Sequence, residues 1–200
     1  YAKGTIAVAV AIALHEAGLA FEPVRLDFQA GDQRKPDYHA VNPKGRVPAL
    51  VTDHGTLTET GAILDYIADL APQADLRPAD PYEAAQMRAA MYYLASTMHV
   101  NHAHRARGTR WADEESSLAD MRAKAVQTMT ESAQFVETHM LRGPFVMGAM
   151  LTLAAPYLYV ATGWLMGDGV DVAPFPKIRA FREAMAARAS VAQVVADGMI

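Results

Sequence analysis

A chain of 200 residues, 52% hydrophobic and 20% charged, is long enough to bury a sizeable core and too apolar to remain disordered. Its formal charge of −4 gives a nucleic-acid partner no electrostatic support. The absence of cysteine excludes disulfides, thiolate metal sites and every cysteine nucleophile.

The local basic residues Arg105, Arg107 and Arg110 read as a solvated helix end. No charged segment followed by an apolar run opens the chain, so no secretory signal is visible, and a cytoplasmic location is expected. It starts at Tyr1, without a methionine, which leaves room for residues ahead of it. Residues 143–167 carry no charge and are long enough to span a bilayer. Gly143-Pro144, Gly148, Pro156 and Gly163 interrupt them, so a loop and then a buried helix capped by Thr152 are expected instead of a membrane span.

In chain order, residues 6–14 are apolar on every side. Their alternation of alanine with valine and isoleucine fits a buried strand, but the length, the alanine content and Gly18 as a stop favour a buried helix. Residues 23–28 alternate apolar and charged side chains, as a strand does. Residues 46–52 and 56–58 flank Asp53-His54-Gly55, a hairpin turn. Thr60 then caps a helix with Ile63, Leu64, Ile67 and Leu70 on one face. With an initial strand ending near Tyr1, the order is β-α-β-(short helix)-β-β-α. Three prolines within residues 72–81 mark a linker. The pattern beyond it is helical, with long helices over 82–108 and 114–141, one from Thr152 to before Gly167, and shorter ones over 174–187 and 190–196. The expected division is an α/β domain at 1–74, a linker at 75–81 and an all-α domain at 82–200.

The chemistry concentrates between Asn42 and Ile67. The order of elements resembles a thioredoxin-like fold. There a cis-proline starts the third strand and frees the preceding N–H and C=O to pair with a bound peptide backbone. Val47-Pro48 is the matching step here, with a plain strand-initiating proline as the alternative. Twelve residues on, Glu59-Thr60 sits at a helix start, where unpaired N–H groups attract a carboxylate. Thr60 adds a hydroxyl and Glu59 can hold an ammonium, which together match a γ-glutamyl group. Taken alone, an acidic first turn with a cap explains the pair better; joined to the Val-Pro step, the γ-glutamyl reading is favoured.

Several stretches resemble a bacterial glutathione transferase: Tyr1-Ala2-Lys3-Gly4-Thr5, the Asn42-Pro43-Lys44-Gly45-Arg46-Val47-Pro48 turn, and Leu57 through the following helix. Gly143-Pro144-Phe145-Val146-Met147-Gly148 before Thr152 extends the likeness over nearly the whole chain. The resemblance implies a thioredoxin-like N-terminal domain with a helical-bundle C-terminal domain, a homodimer, and detoxifying transfer of the glutathione thiol to a small apolar electrophile. Glutathione is the implied co-substrate, held at Val47, Pro48, Glu59 and Thr60.

The departures lie earlier. A transferase must favour the thiolate, and lowering a thiol pKa of about 8.5 by two units takes about 2.7 kcal/mol. Where the resembled bacterial enzymes place a cysteine, often followed by serine, this chain has Ile6 and Ala7, so cysteine-dependent mixed-disulfide chemistry is excluded. Thr5 and Tyr1 remain as catalytic candidates. Thr5 fits equally as a plain N-cap, and Tyr1 as a strand residue packed under the sheet. Ala155 stands where the family has an aspartate, so the Thr152 cap loses its reciprocal partner. The electrophile is expected against the long helix after the linker, at Tyr92, Met98 and His99, with His99 corresponding to a site histidine of the resembled group. His99, His102 and His104 do not share one helix face and have no neighbouring carboxylate at ligand spacing, so no metal site is expected.

Overall fold

The computed structural model describes all 200 residues. Its elements run α1 (Ala7–Glu16), α2 (Pro36–Val41), β1 (Ala49–Thr52), β2 (Gly55–Thr58), α3 (Thr60–Leu70), α4 (Pro81–Tyr93), α5 (His99–Arg107), α6 (Glu115–Phe135), α7 (Ala154–Gly163), α8 (Pro176–Ala186) and α9 (Ala189–Ala196). The fold is a small thioredoxin-like N-terminal part joined to a helical C-terminal one.

Residues 7 to 14 of α1 are all buried, which accounts for their lack of amphipathic pattern. Alanine at alternate positions lets α3, α7 and α9 approach α1 closely, so the first helix is central to the core. The helix stops at Gly18, whose φ of 66° is the left-handed conformation that ends helices without strain. Two long-range ties fix its ends. Arg188 and Ser190 donate to the Glu16 carboxylate, Arg188 Nη2 at 2.7 Å. At the other end the Gly4 N–H donates to the Met199 carbonyl at 2.8 Å.

The sheet is smaller than expected. β1 and β2 pair antiparallel, Ala49 opposite Thr58 and Thr52 opposite Gly55, and they form the whole ladder. Residues 23–28 belong to no ladder, and Phe28 opens a turn. Val24 and Leu26 pair with Tyr1, which donates to the Val24 carbonyl and accepts from the Leu26 N–H, each at 2.7 Å, while Asp27 and Phe28 bond into the turn that follows. One rung orients the segment without building a strand, and Val24 stays 66% exposed.

The long helices contain irregularities that periodicity does not show. A wide π turn, Leu94–Met98, joins α4 to α5, and another, Val136–Met140, follows α6. The charge-free stretch resolves into a loop and α7, a buried helix of 10 residues; no helix is long and apolar enough to cross a membrane. Thr152 does not cap it. Leu153 occupies that place, no side-chain cap bond forms, and the buried Thr152 Oγ1 has no hydrogen-bond partner. The reciprocal carboxylate that Ala155 lacks is the missing half of that device.

Candidate functional site

The turn before β1 is rigidly held. Asn42, 1% exposed, donates from Nδ2 to the Arg46 carbonyl at 2.6 Å and accepts the Lys44 N–H at 3.1 Å. The Tyr38 hydroxyl donates to the same carbonyl at 2.6 Å. Gly45 has φ 61°, and a Cβ there would lie 2.8 Å from the Gln33 carbonyl oxygen, so no larger residue fits. With Arg46 fixed, the Val47-Pro48 peptide is cis, and neither the N–H nor the C=O of Val47 has a backbone partner.

Next to it is the start of α3. Thr60 is the first helical residue, not its cap. Glu59 takes the cap position with φ 68°, uncommon for a residue with a side chain and found where a site imposes it. The first-turn N–H groups of Thr60, Gly61 and Ala62 have no acceptor, and all three residues line a cavity of about 790 Å³. The Glu59 carboxylate already carries an ammonium: Lys44 Nζ lies 2.6 Å away and also donates to Thr58 Oγ1 at 2.9 Å. Tyr157 on α7 closes this end of the cavity. Burial, and secondarily the Glu59 charge, push its phenol up to about 12, so it remains protonated at neutral pH.

The start of α1 also reaches the cavity, through Thr5 and Ile6. The Thr5 hydroxyl donates to the Ala2 carbonyl at 2.6 Å, which commits its proton away from any ligand. The N–H groups of Ile6 and Ala7 have no acceptor.

Opposite, Met91, Tyr92, Ala95, His99 and Val100 form a largely apolar wall. His99 is pushed down to about 4, by burial first and then by Arg107, His102, Arg110 and Arg46, so its imidazole is neutral at pH 7. His102 and His104 point elsewhere. His102 stacks on Trp164 at 4.3 Å and holds Asp168 at 2.7 Å; His104 packs on Trp111 at 4.4 Å. Trp164 Nε1 donates to the Gly4 carbonyl at 3.0 Å, tying this wall to the loop ahead of α1.

Thr5, Val47, Pro48, Glu59, Thr60, Tyr92 and His99 therefore line one cavity, as residues chosen from sequence. Tyr1 and Met98 do not line it. Tyr1 packs against the core from its rung with residues 24–26. Met98 is 0% exposed beside Met91 and Leu94 in the core. Met87, Met91, Leu94 and Met98 recur at three- and four-residue spacing on the core face, whereas Tyr92, Ala95 and His99 recur in the same way on the cavity face. Tyr157 and the cavity-lining Arg34, Arg46, Arg107 and Arg110 were missing from the sequence-derived set. Arg107 and Arg110 line the cavity, Arg107 partly buried and Arg110 exposed, so the expected solvated helix end is also a cavity wall. Arg46, next to Val47, carried a local signal; Tyr157, about a hundred residues away, carried none.

The glutathione S-transferase N-terminal domain profile matches residues 1–69. The crystal structure of a glutathione transferase homologue from Sulfitobacter, with bound glutathione, superposes with a TM-score of 0.98 at 59% identity, covering 100% of this chain and 97% of the other. Glutathione S-transferase GstA of Escherichia coli O157:H7 is 30% identical over 100% of this chain and 98% of its own length. A glutathione S-transferase of Pseudomonas putida is 32% identical, covering 94% and 86%.

Proposed function

This chain belongs to the glutathione S-transferase family of enzymes, and on that premise we propose that its cavity binds glutathione and directs the thiolate at a small, largely apolar electrophile. The observation that carries the reading is the convergence of two unsatisfied backbone sites and one acid on a single cavity. The γ-glutamyl carboxylate sits on the free N–H groups of Thr60, Gly61 and Ala62, where the helix dipole favours an anion. The Thr60 hydroxyl supports it, and Glu59 takes the glutamyl ammonium, as it now takes that of Lys44. Val47, beside Pro48, pairs through its free N–H and C=O with the cysteinyl backbone of the tripeptide, in the manner of an added strand.

That pairing puts the sulfur towards the start of α1. The Ile6 and Ala7 N–H groups are the donors available there, since the Thr5 proton is committed to Ala2 and Tyr1 lies outside the cavity. Five arginines against two carboxylates on the cavity wall add a positive potential that favours thiolate over thiol. Neutral His99 and Tyr92 flank the space left for the electrophile.

A second reading, a glutathione-binding or ligand-carrying protein with little transferase activity, draws support from Ile6 and Ala7, which offer no side-chain donor to sulfur. Calorimetric titration with glutathione and ultraviolet titration of the bound thiol separate the possibilities. Saturable binding with a thiol pKa clearly below 8.5 is expected. Binding with an unshifted pKa selects the second reading, and no binding sinks both.

A further inference from the structure

Four arginines on the cavity wall have no counter-ion. Arg34, Arg46, Arg107 and Arg110 come from separate stretches of the chain, and no carboxylate lies within 4.0 Å of any of them. The two carboxylates that line the cavity are already engaged, Glu59 by Lys44 at 2.6 Å and Asp65 by Arg88 at 3.1 Å. Shortage of acid does not explain this, because the chain has 22 acidic residues against 18 basic ones. The arrangement also opposes itself. Burial comes first and Arg46 second in pulling Arg107 and Arg110 below the ordinary guanidinium range, and Arg110 is further opposed by Arg107 and Arg34. Mutual repulsion of this kind is relieved when an anion binds.

Glutathione accounts for only part of that demand. In the reading above its glutamyl carboxylate goes to the start of α3, which leaves one glycyl carboxylate for four guanidiniums. Arg34 and Arg46 belong to the same part of the chain as Val47 and suit that glycyl end. Arg107 and Arg110 lie at and just beyond the end of α5, next to Ala103, Ala106 and the half-exposed Trp111.

We propose that the electrophile carries a carboxylate, bound by Arg107 and Arg110, on an apolar body that rests against α5 and Trp111. The planar guanidinium fork suits a carboxylate in two-point contact. This rests on the glutathione reading and narrows it from apolar electrophiles in general to electrophilic acids. An unsaturated keto acid illustrates the balance. The thiol loses its proton, and the sulfur forms a C–S bond at the carbon β to the ketone. The π pair of the C=C bond moves to the ketone oxygen as an enolate, and a proton ends on the carbon α to the ketone. No oxidant or further reactant is consumed.

The test compares trans-3-benzoylacrylate with its neutral amide as substrates, and the saturated 3-benzoylpropionate with its amide as unreactive ligands, all on the glutathione-loaded protein. The saturated pair keeps the test decisive even where turnover is slow. Each acid should exceed its amide roughly tenfold in affinity or in kcat/KM, after correction for the uncatalysed reaction. Added salt should erode that preference. It should fall several-fold in Arg110→Gln and approach unity in the Arg107→Gln/Arg110→Gln double variant, with circular dichroism showing that both fold. Equal treatment of acid and amide by the wild type, or a preference that survives the double variant, overturns the proposal. Glutathione affinity is titrated separately: intact glutathione binding without acid preference sinks this inference alone, and absent glutathione binding sinks the reading beneath it.

Discussion

Two helix starts face the same cavity and are built from opposite material. At α3 the first turn presents free N–H groups together with the Glu59 carboxylate, the Thr60 hydroxyl and the Tyr157 phenol. At α1 the first turn presents the same kind of free N–H groups flanked by Ile6 and Ala7, and the one nearby hydroxyl, Thr5, donates its proton to Ala2. Helix geometry leaves the opening N–H groups unpaired whatever the sequence, so the fold supplies a weak anion site at both places. Side chains decide how far each is developed. In the function proposed above, the α3 start holds the charged end of the ligand, whereas the α1 start relies on backbone and on the field of distant arginines. Recognition of the ligand is therefore expected to depend on a few side chains, and activation of its sulfur to depend little on any single one.

The comparison can be broken at its strong end first. Glu59→Ala should weaken glutathione binding roughly tenfold by calorimetry, the lower part of the range for a charged pair, because the Glu59 side chain is 71% exposed. An unchanged affinity would remove α3 as the anchoring end. A smaller effect tests the bare start. Ile6→Ser places a hydroxyl donor where none exists, and the bound thiol pKa should fall by about one unit in ultraviolet titration. The same variant should lose about 3 kcal/mol in denaturant unfolding, since Ile6 is only 4% exposed and its side chain fills core space. A thiol pKa that does not respond would mean that the sulfur lies elsewhere. The smallest effect is expected at Thr5. Thr5→Val should leave the bound thiol pKa within a few tenths of a unit and cost about 1 kcal/mol of stability through the lost bond to Ala2. A rise of a unit or more would restore Thr5 as the sulfur's donor and make the two helix starts alike.

The opposite wall shows a further contrast, between charge counted along the chain and charge placed in space. Arg105, Arg107 and Arg110 look alike in sequence, yet Arg105 faces Asp168 at 4.0 Å while Arg107 and Arg110 face the cavity unpaired. Spacing alone cannot separate them, because the partner that neutralises Arg105 stands 63 residues later. His99, His102 and His104 divide in the same manner among the cavity, Asp168 with Trp164, and Trp111.

Legibility followed the range of the interactions involved. The turn at Asn42, the hairpin and the start of α3 are local, made by residues within about twenty positions of one another, so their residue types declare them; the cis form of Val47-Pro48 was expected only through the likeness of element order to a thioredoxin-like fold. The helical C-terminal part was legible as helices because prolines and glycines punctuate it. Three features were not. Residues 23–28 have a strand's alternation but a single rung, between Tyr1 and residues 24 and 26, and pairing, not alternation, makes a ladder. Met98 shares the core face of Met91 and Leu94, and which of the two apolar faces of this helix meets the cavity was set by packing and not by residue type. Thr152 has a capping residue's identity and no capping bond, because its reciprocal acid is absent.

Sequence thus determined the local frame of the proposed glutathione site, through features that single residues bring: a proline after Val47, a glycine at 45, an acid and a hydroxyl at a helix start. Only the tertiary structure decided which groups complete the cavity. Those groups, Tyr157, His99 and the arginines from three stretches of the chain, meet across the cavity because α1, α3, α4 and α7 share one core and α5 continues α4 through the π turn. Their burial, their protonation and their want of counter-ions are properties of that meeting and of no local segment.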